Sequence, residues 1–142
     1  MTRPLRLLLC AVAAATAAGC SHATTPTSAT TTTTTTSGGA TTFAVASNFT
    51  VRGSASRSFE STVAGDIAVT LTDVNPDVPL GLGVGIPRPD GTGCSLTRAA
   101  TVRLGTTPQI TIAADPGNWC VRVWDLGFVS ERVAFALEVS HY

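Results

Sequence analysis

Between Asp66 and Val139 a series of short segments carries apolar residues at every second position, and no stretch shows a sustained helical period. Ile67, Val69 and Leu71 share one face of the first such segment. Leu80, Leu82, Val84 and Ile86 share a face of the next, alternating with Gly81, Gly83 and Gly85. The pattern recurs in Val102 with Leu104, Ile110 with Ile112, Trp119 with Val121 and Val123, and Val133 with Phe135, Leu137 and Val139. A period of two puts alternate side chains on opposite faces of a strand, which suits antiparallel sheet with one face packed and one wet. Asn75-Pro76-Asp77, Pro89-Asp90-Gly91 and Asp115-Pro116-Gly117-Asn118 separate the runs with residues suited to tight turns. Six to eight short strands at this spacing predict an all-β chain, an antiparallel β-sandwich or jelly-roll-like single domain over residues 43–142. A small barrel is the alternative closure.

The first forty-odd residues are built differently. Arg3 and Arg6 precede an apolar run, Leu7 to Ala18, that ends in small residues. The run is short for a span of about 20 residues and has the proportions of a signal peptide. Ala17-Ala18-Gly19-Cys20 resembles the bacterial lipobox, in which two small residues precede a lipidated cysteine; Ala17 stands where the family more often has leucine. The resemblance implies a leader over residues 1–19, a diacylglycerol (with palmitate-like chains) on Cys20, and an extracytoplasmic, membrane-anchored protein. Two acyl chains meet the requirement that stable anchoring needs more than one. Cys10 follows bulky Leu9 and does not fit the pattern. The alternative is ordinary secretion after cleavage at Ala18 or Gly19.

Residues 21–42 carry almost no large apolar side chain and include the threonine run Thr30 to Thr36. Such a segment buries too little surface to offset its ordering entropy, so residues 20–42 are expected to form a lipidated cysteine and a disordered spacer. As a flexible coil it reaches roughly 25 Å, and fully extended about 75 Å. Thr/Ser tracts with proline also resemble O-glycosylated stalks, against an unmodified spacer. His22 reads as a solvated side chain within it.

Cys94 and Cys120 are the remaining cysteines. In an exported chain two cysteines pair, and closing this loop contributes about 3.5 kcal/mol in the chain-entropy view. A metal or redox pair is the alternative, but no histidine lies near either in sequence.

Gly65 to Leu71, Leu80 to Val84, Asp115-Pro116-Gly117-Asn118-Trp119-Cys120-Val121-Arg122-Val123-Trp124-Asp125 and Phe135 to Val139 together resemble bacterial pre-peptidase C-terminal domains. The likeness covers residues 58–142 and is densest over Gly117 to Asp125. It implies a small β-sandwich of the kind appended to secreted peptidases. No peptidase domain precedes the module in this sequence, and the cysteine pair is outside the general pattern, so fold transfers more readily than context.

Charge and motif narrow the function further. Nine basic residues, all arginine, balance nine acidic ones, and no basic stripe exists to suit nucleic acid. His141, at the chain end, is expected to be solvated rather than to serve a nucleophile. Glu60, Glu131 and Glu138 lie on separate segments without the motif that paired catalytic acids need. Asp73 and Asp77, with Asp90, are weak calcium candidates; Val78 and Val84 stand where an EF-hand requires glycine and glutamate. The plainer reading is an Asn-Pro turn with solvated carboxylates. Asn48-Phe49-Thr50 matches a glycosylation sequon, incidental in this context.

Trp124 alternates with Val123 and falls on the opposite face, with Cys120 and Arg122. With Arg122 and Asp125 it forms the candidate ligand-binding set, since exposed aromatics mark binding surfaces. The competing reading has Trp124 covering the disulfide or packing under a loop with Phe128. The bare glycine face of the 80–86 segment allows another backbone or a ligand to approach closely. These observations point to a non-catalytic surface module, without cofactor, that binds cell-wall polysaccharide or an exported protein, or is purely structural. The alternative is an accessory or regulatory partner of a secreted peptidase.

Overall fold

A computed structural model describes residues 31–142 apart from Gly38. The leader, Cys10, Cys20, His22 and the spacer ahead of Thr31 lie outside the described residues. Nine strands follow in order: β1 Thr31–Ser37, β2 Ala40–Phe49, β3 Ser54–Ser61, β4 Gly65–Asn75, β5 Leu80–Pro87, β6 Cys94–Val102, β7 Ile110–Ala114, β8 Gly117–Asp125 and β9 Val133–His141. They form two antiparallel sheets, β1-β2-β9-β4-β7 and β3-β8-β5-β6. The architecture is a β-sandwich, and the two sheets remain separate among the described residues, which excludes the barrel.

The core is where alternation predicted it. Phe43, Val139 and Val69 stand in one cross-strand row, and Val45, Leu137 and Leu71 in the next. All six are buried. They meet Leu80, Leu82 and Val84 of β5 and Trp119, Val121 and Val123 of β8 from the other sheet. At Thr72 the register of β4 slips between Leu71 and Asp73. That extra residue reverses the parity, so Val74 returns to the core face where Asp73 would otherwise point.

Several expectations shift. Residues 31–42 were expected to be disordered, but the threonine run forms β1 and pairs with β2 from Thr31↔Ala46 to Ser37↔Ala40. Two causes suffice: β-branched residues favour extended backbone, and β2 offers an open edge. The folded unit therefore begins ahead of residue 43. Ile86 continues the β5 alternation in sequence but is 46% exposed, past Gly85, the last residue of β5 that pairs with β8. Leu104 is also exposed, because the chain leaves β6 at Val102 to cross sheets. That crossing runs along the edge of β4, where Gly105 and Gln109 donate backbone N–H groups to the Leu71 and Val69 carbonyls. The Gln109 side chain accepts from the Leu71 N–H at 2.7 Å and so substitutes for a missing strand residue.

Cys94 and Cys120 are bonded, with Cα atoms 5.9 Å apart and both residues buried. They belong to β6 and β8, which flank β5. The start of β6 folds over β5 to make this bond. A Cβ on Gly85 would lie 2.0 Å from the Ser95 carbonyl oxygen, so only glycine admits the crossing.

Candidate functional site

The outer face of the second sheet is assembled on the glycines of β5. A Cβ on Gly81 would sit 2.0 Å from Trp124 Cε2, and one on Gly83 would be 2.9 Å from the Leu96 methyl carbons. The bare face is thus covered from within: by the Trp124 indole, the Leu96 side chain and the β6 backbone. Trp124 lies against Gly81 and keeps part of its surface open. Phe128, on the loop beyond β8, is itself 60% exposed.

Register extends this face onto β3. Ser54, Ser56 and Ser58 stand opposite Trp124, Arg122 and Cys120. The Arg122 guanidinium donates from Nη2 to Ser54 Oγ at 3.1 Å, while its Nε is buried with no partner in the protein. Gly91, Thr92 and Gly93 of the β5–β6 turn face the three serines across an open cleft of about 340 Å³. Gly93 has positive φ, and a Cβ added to it would lie 3.7 Å from Ser56 Oγ. An aromatic surface, a guanidinium and a row of hydroxyls are therefore contiguous.

Asp125 does not join them. Its parity turns it to the other side, and its carboxylate is filled by backbone donors. Oδ1 accepts from Gly127, Phe128 and Val129 at 2.6, 3.0 and 3.1 Å, and Oδ2 from Arg52 at 2.8 Å. Local desolvation raises its pKa, but the four N–H donors together outweigh that and hold it below the ordinary carboxylate value. Asp125 ties the β2–β3 turn to the β8–β9 loop. Arg52 takes φ 59° in that turn, a conformation costly for a residue with a Cβ and held here by the Asp125 contact.

The weak calcium candidates are scattered. Asp73 is on β4, Asp77 faces Arg103 at 3.6 Å between exposed side chains, and Asp90 lies beyond the far end of β5. Asp90 Oδ1 accepts from the Thr92 N–H and hydroxyl; these bonds, backbone first, lower its pKa. Among the described residues no group of three or more potential ligands could hold a metal ion.

His141 was expected to be solvated and is 7% exposed. It occupies the next core-facing position after Val139 on β9. Its ring packs 5.7 Å from Phe43 and 4.9 Å from Phe59, centroid to centroid. The same parity that placed Val139 in the core carried this signal. A second cleft of about 240 Å³ opens there, lined by Thr32 and Thr34 of β1 with Arg57, Phe59, Glu60 and His141. Glu131 and Glu138 lie on the β8–β9 loop and on β9, away from Glu60 on β3. Asn48 of the sequon lies within β2 and accepts from Arg132 Nη1 at 3.2 Å.

Compared with known proteins, the chain matches no family model and no curated sequence.

Proposed function

We propose that the protein is a non-catalytic, lipid-anchored extracytoplasmic module whose outer sheet face binds cell-wall glycan. The observation that carries the reading is Trp124, laid on Gly81 beside Arg122 with its unpartnered Nε. A pyranose ring offers an apolar face to an indole and hydroxyls around its rim. Trp124 suits the first, and the Arg122 guanidinium with Ser54, Ser56 and Thr92 suits the second. The lipobox-like Ala17 to Cys20 supports the anchored address, and the likeness to pre-peptidase C-terminal domains supports a module that accompanies other exported machinery.

The test is sedimentation of the protein with purified cell wall and insoluble polysaccharides, with calcium and with chelator. Binding is expected in both media and is expected to be lost in Trp124→Ala, with far-ultraviolet circular dichroism unchanged. Equal binding by Trp124→Ala would place the glycan site away from this face; no binding to any polysaccharide would remove the glycan reading.

A further inference from the structure

The geometry points to a membrane-docking end formed by the β2–β3 turn and the β8–β9 loop, which rests on an intact bilayer through Val51, Leu126 and Phe128. This rests on the reading that Cys20 carries lipid. Because β1 is antiparallel to β2, the chain enters the sandwich travelling away from this end. Thr31 pairs with Ala46, only three residues short of Phe49, where β2 gives way to the turn. At strand spacing that is roughly 10 Å. Ten residues separate Cys20 from Thr31, and 11 links of chain span at most about 37 Å. The sheet edge that receives the tether also adjoins the two loops, since β1, β2 and β9 are consecutive in one sheet and β3 and β8 in the other.

Those loops are built to meet an apolar medium. Phe128 is 60% exposed, Val51 47% and Leu126 36%. They are held together rather than left loose, because Asp125 accepts from Arg52 and from Gly127, Phe128 and Val129. Exposed Arg52 and Arg132 stand at the same end to meet lipid phosphates; the charges beside them are Glu131, the Asp125 carboxylate held by backbone N–H groups, and the exposed Asp77–Arg103 pair. Apolar tips flanked by arginine match the boundary between headgroup and acyl chain. Docking there sets the strands along the membrane normal, so the Trp124 face opens sideways along the wall side of the membrane.

The experiment uses the processed protein recovered from an exporting host, on vesicles of phosphatidylethanolamine and phosphatidylglycerol bearing brominated acyl chains. Intact mass first reads whether Cys20 carries diacylglycerol. Protein without lipid is coupled through its Cys20 thiol to a maleimide lipid, so docking is measured whatever the host does, and the two readings fail separately. Tryptophan reporters are placed by Phe128→Trp at this end and Val63→Trp at the opposite end, where Val63 is 52% exposed. With the signal of the unsubstituted protein, which carries Trp119 and Trp124, subtracted, the expected result is added bromine quenching and a blue shift for Phe128→Trp and neither for Val63→Trp, the Phe128→Trp signal falling to the level of Val63→Trp when Leu126→Ser and Val51→Ser are added. Equal quenching at both ends, or at neither, overturns the docking surface.

Discussion

β9 and β1 lie in the same sheet with β2 between them, and they are encoded in opposite ways. β9 has a partner on each side, and along it Val133, Phe135, Leu137, Val139 and His141 are buried in strict alternation. β1 has one partner and an open edge, and its sequence is six threonines and a serine with no alternation. For β9 the pattern specifies register, because slipping by one residue would expose every core side chain. For β1 the sequence specifies only extended backbone, and the neighbour's unpaired edge supplies the rest. Pattern encodes a strand in proportion to how much it buries.

Leu137→Ala removes one of the side chains that the alternation of β9 buries. Leu137 is 2% exposed and stands in a row with Val45 and Leu71. Truncating a buried leucine costs about 2–5 kcal/mol through lost transfer energy and the cavity left behind. Urea unfolding should show a midpoint lowered accordingly, with unchanged slope. A loss below about 1 kcal/mol would mean that the centre of this sheet is not where stability resides.

Next come the glycines of β5, which separate covering by backbone from covering by a side chain. Gly85→Ala meets the Ser95 carbonyl at 2.0 Å and Leu96 Cα at 2.7 Å, so β6 itself must move; Gly81→Ala meets only the Trp124 ring. Overpacking of this kind costs about 1–3 kcal/mol. Gly85→Ala should lie at the top of that range and Gly81→Ala at the bottom, with Trp124 emission shifted to the red only in Gly81→Ala. Equal losses would show that the indole is as immobile as the backbone.

Asp125→Asn probes the end of the molecule, where neither strand pattern operates. The carboxylate accepts four backbone N–H bonds, and an amide nitrogen cannot accept from Arg52. The loss should be about 1 kcal/mol at neutral pH, allowing for solvent screening. Because the folded-state pKa is lowered, the stabilisation is present above the ordinary carboxylate pKa and fades as pH falls through the lowered value. The difference between wild type and Asp125→Asn should therefore shrink below about pH 4. A difference that is constant from pH 7 to pH 3 would assign the effect to shape rather than charge.

Legibility followed the same division. Strands β4, β5, β7, β8 and β9 were visible in the alternation, and the Cys94–Cys120 bond in the cysteine count together with the export that the leader implies. β3 was not, and β6 only at its end in Val102, since both are sheet edges whose side chains are largely exposed and so have no need to alternate. The face of Trp124 and Arg122 followed from parity along β8. What parity could not supply was occupancy: that Gly81 would be taken by an indole, Gly85 by β6, and the Asp125 carboxylate by two loops. These depend on contacts between residues distant in sequence, and no local pattern records them. His141 was legible, two positions after Val139, and was obscured by its place at the chain end.

The smallest expected effect tests the threonine strand itself. Thr34 and Thr35 are adjacent and exposed, so they point to opposite faces; Thr34 stands opposite Phe43 and lines the cleft with His141, whereas Thr35 stands opposite Thr42. If β1 is held by backbone pairing and β-branching alone, Thr34→Ala and Thr35→Ala should each cost no more than about 0.5 kcal/mol, and equally. Thermal unfolding of both variants decides it. A loss above about 1 kcal/mol in Thr34→Ala alone would mean that β1 closes the side of the core over Phe43, and the edge strand would then carry packing as well as backbone.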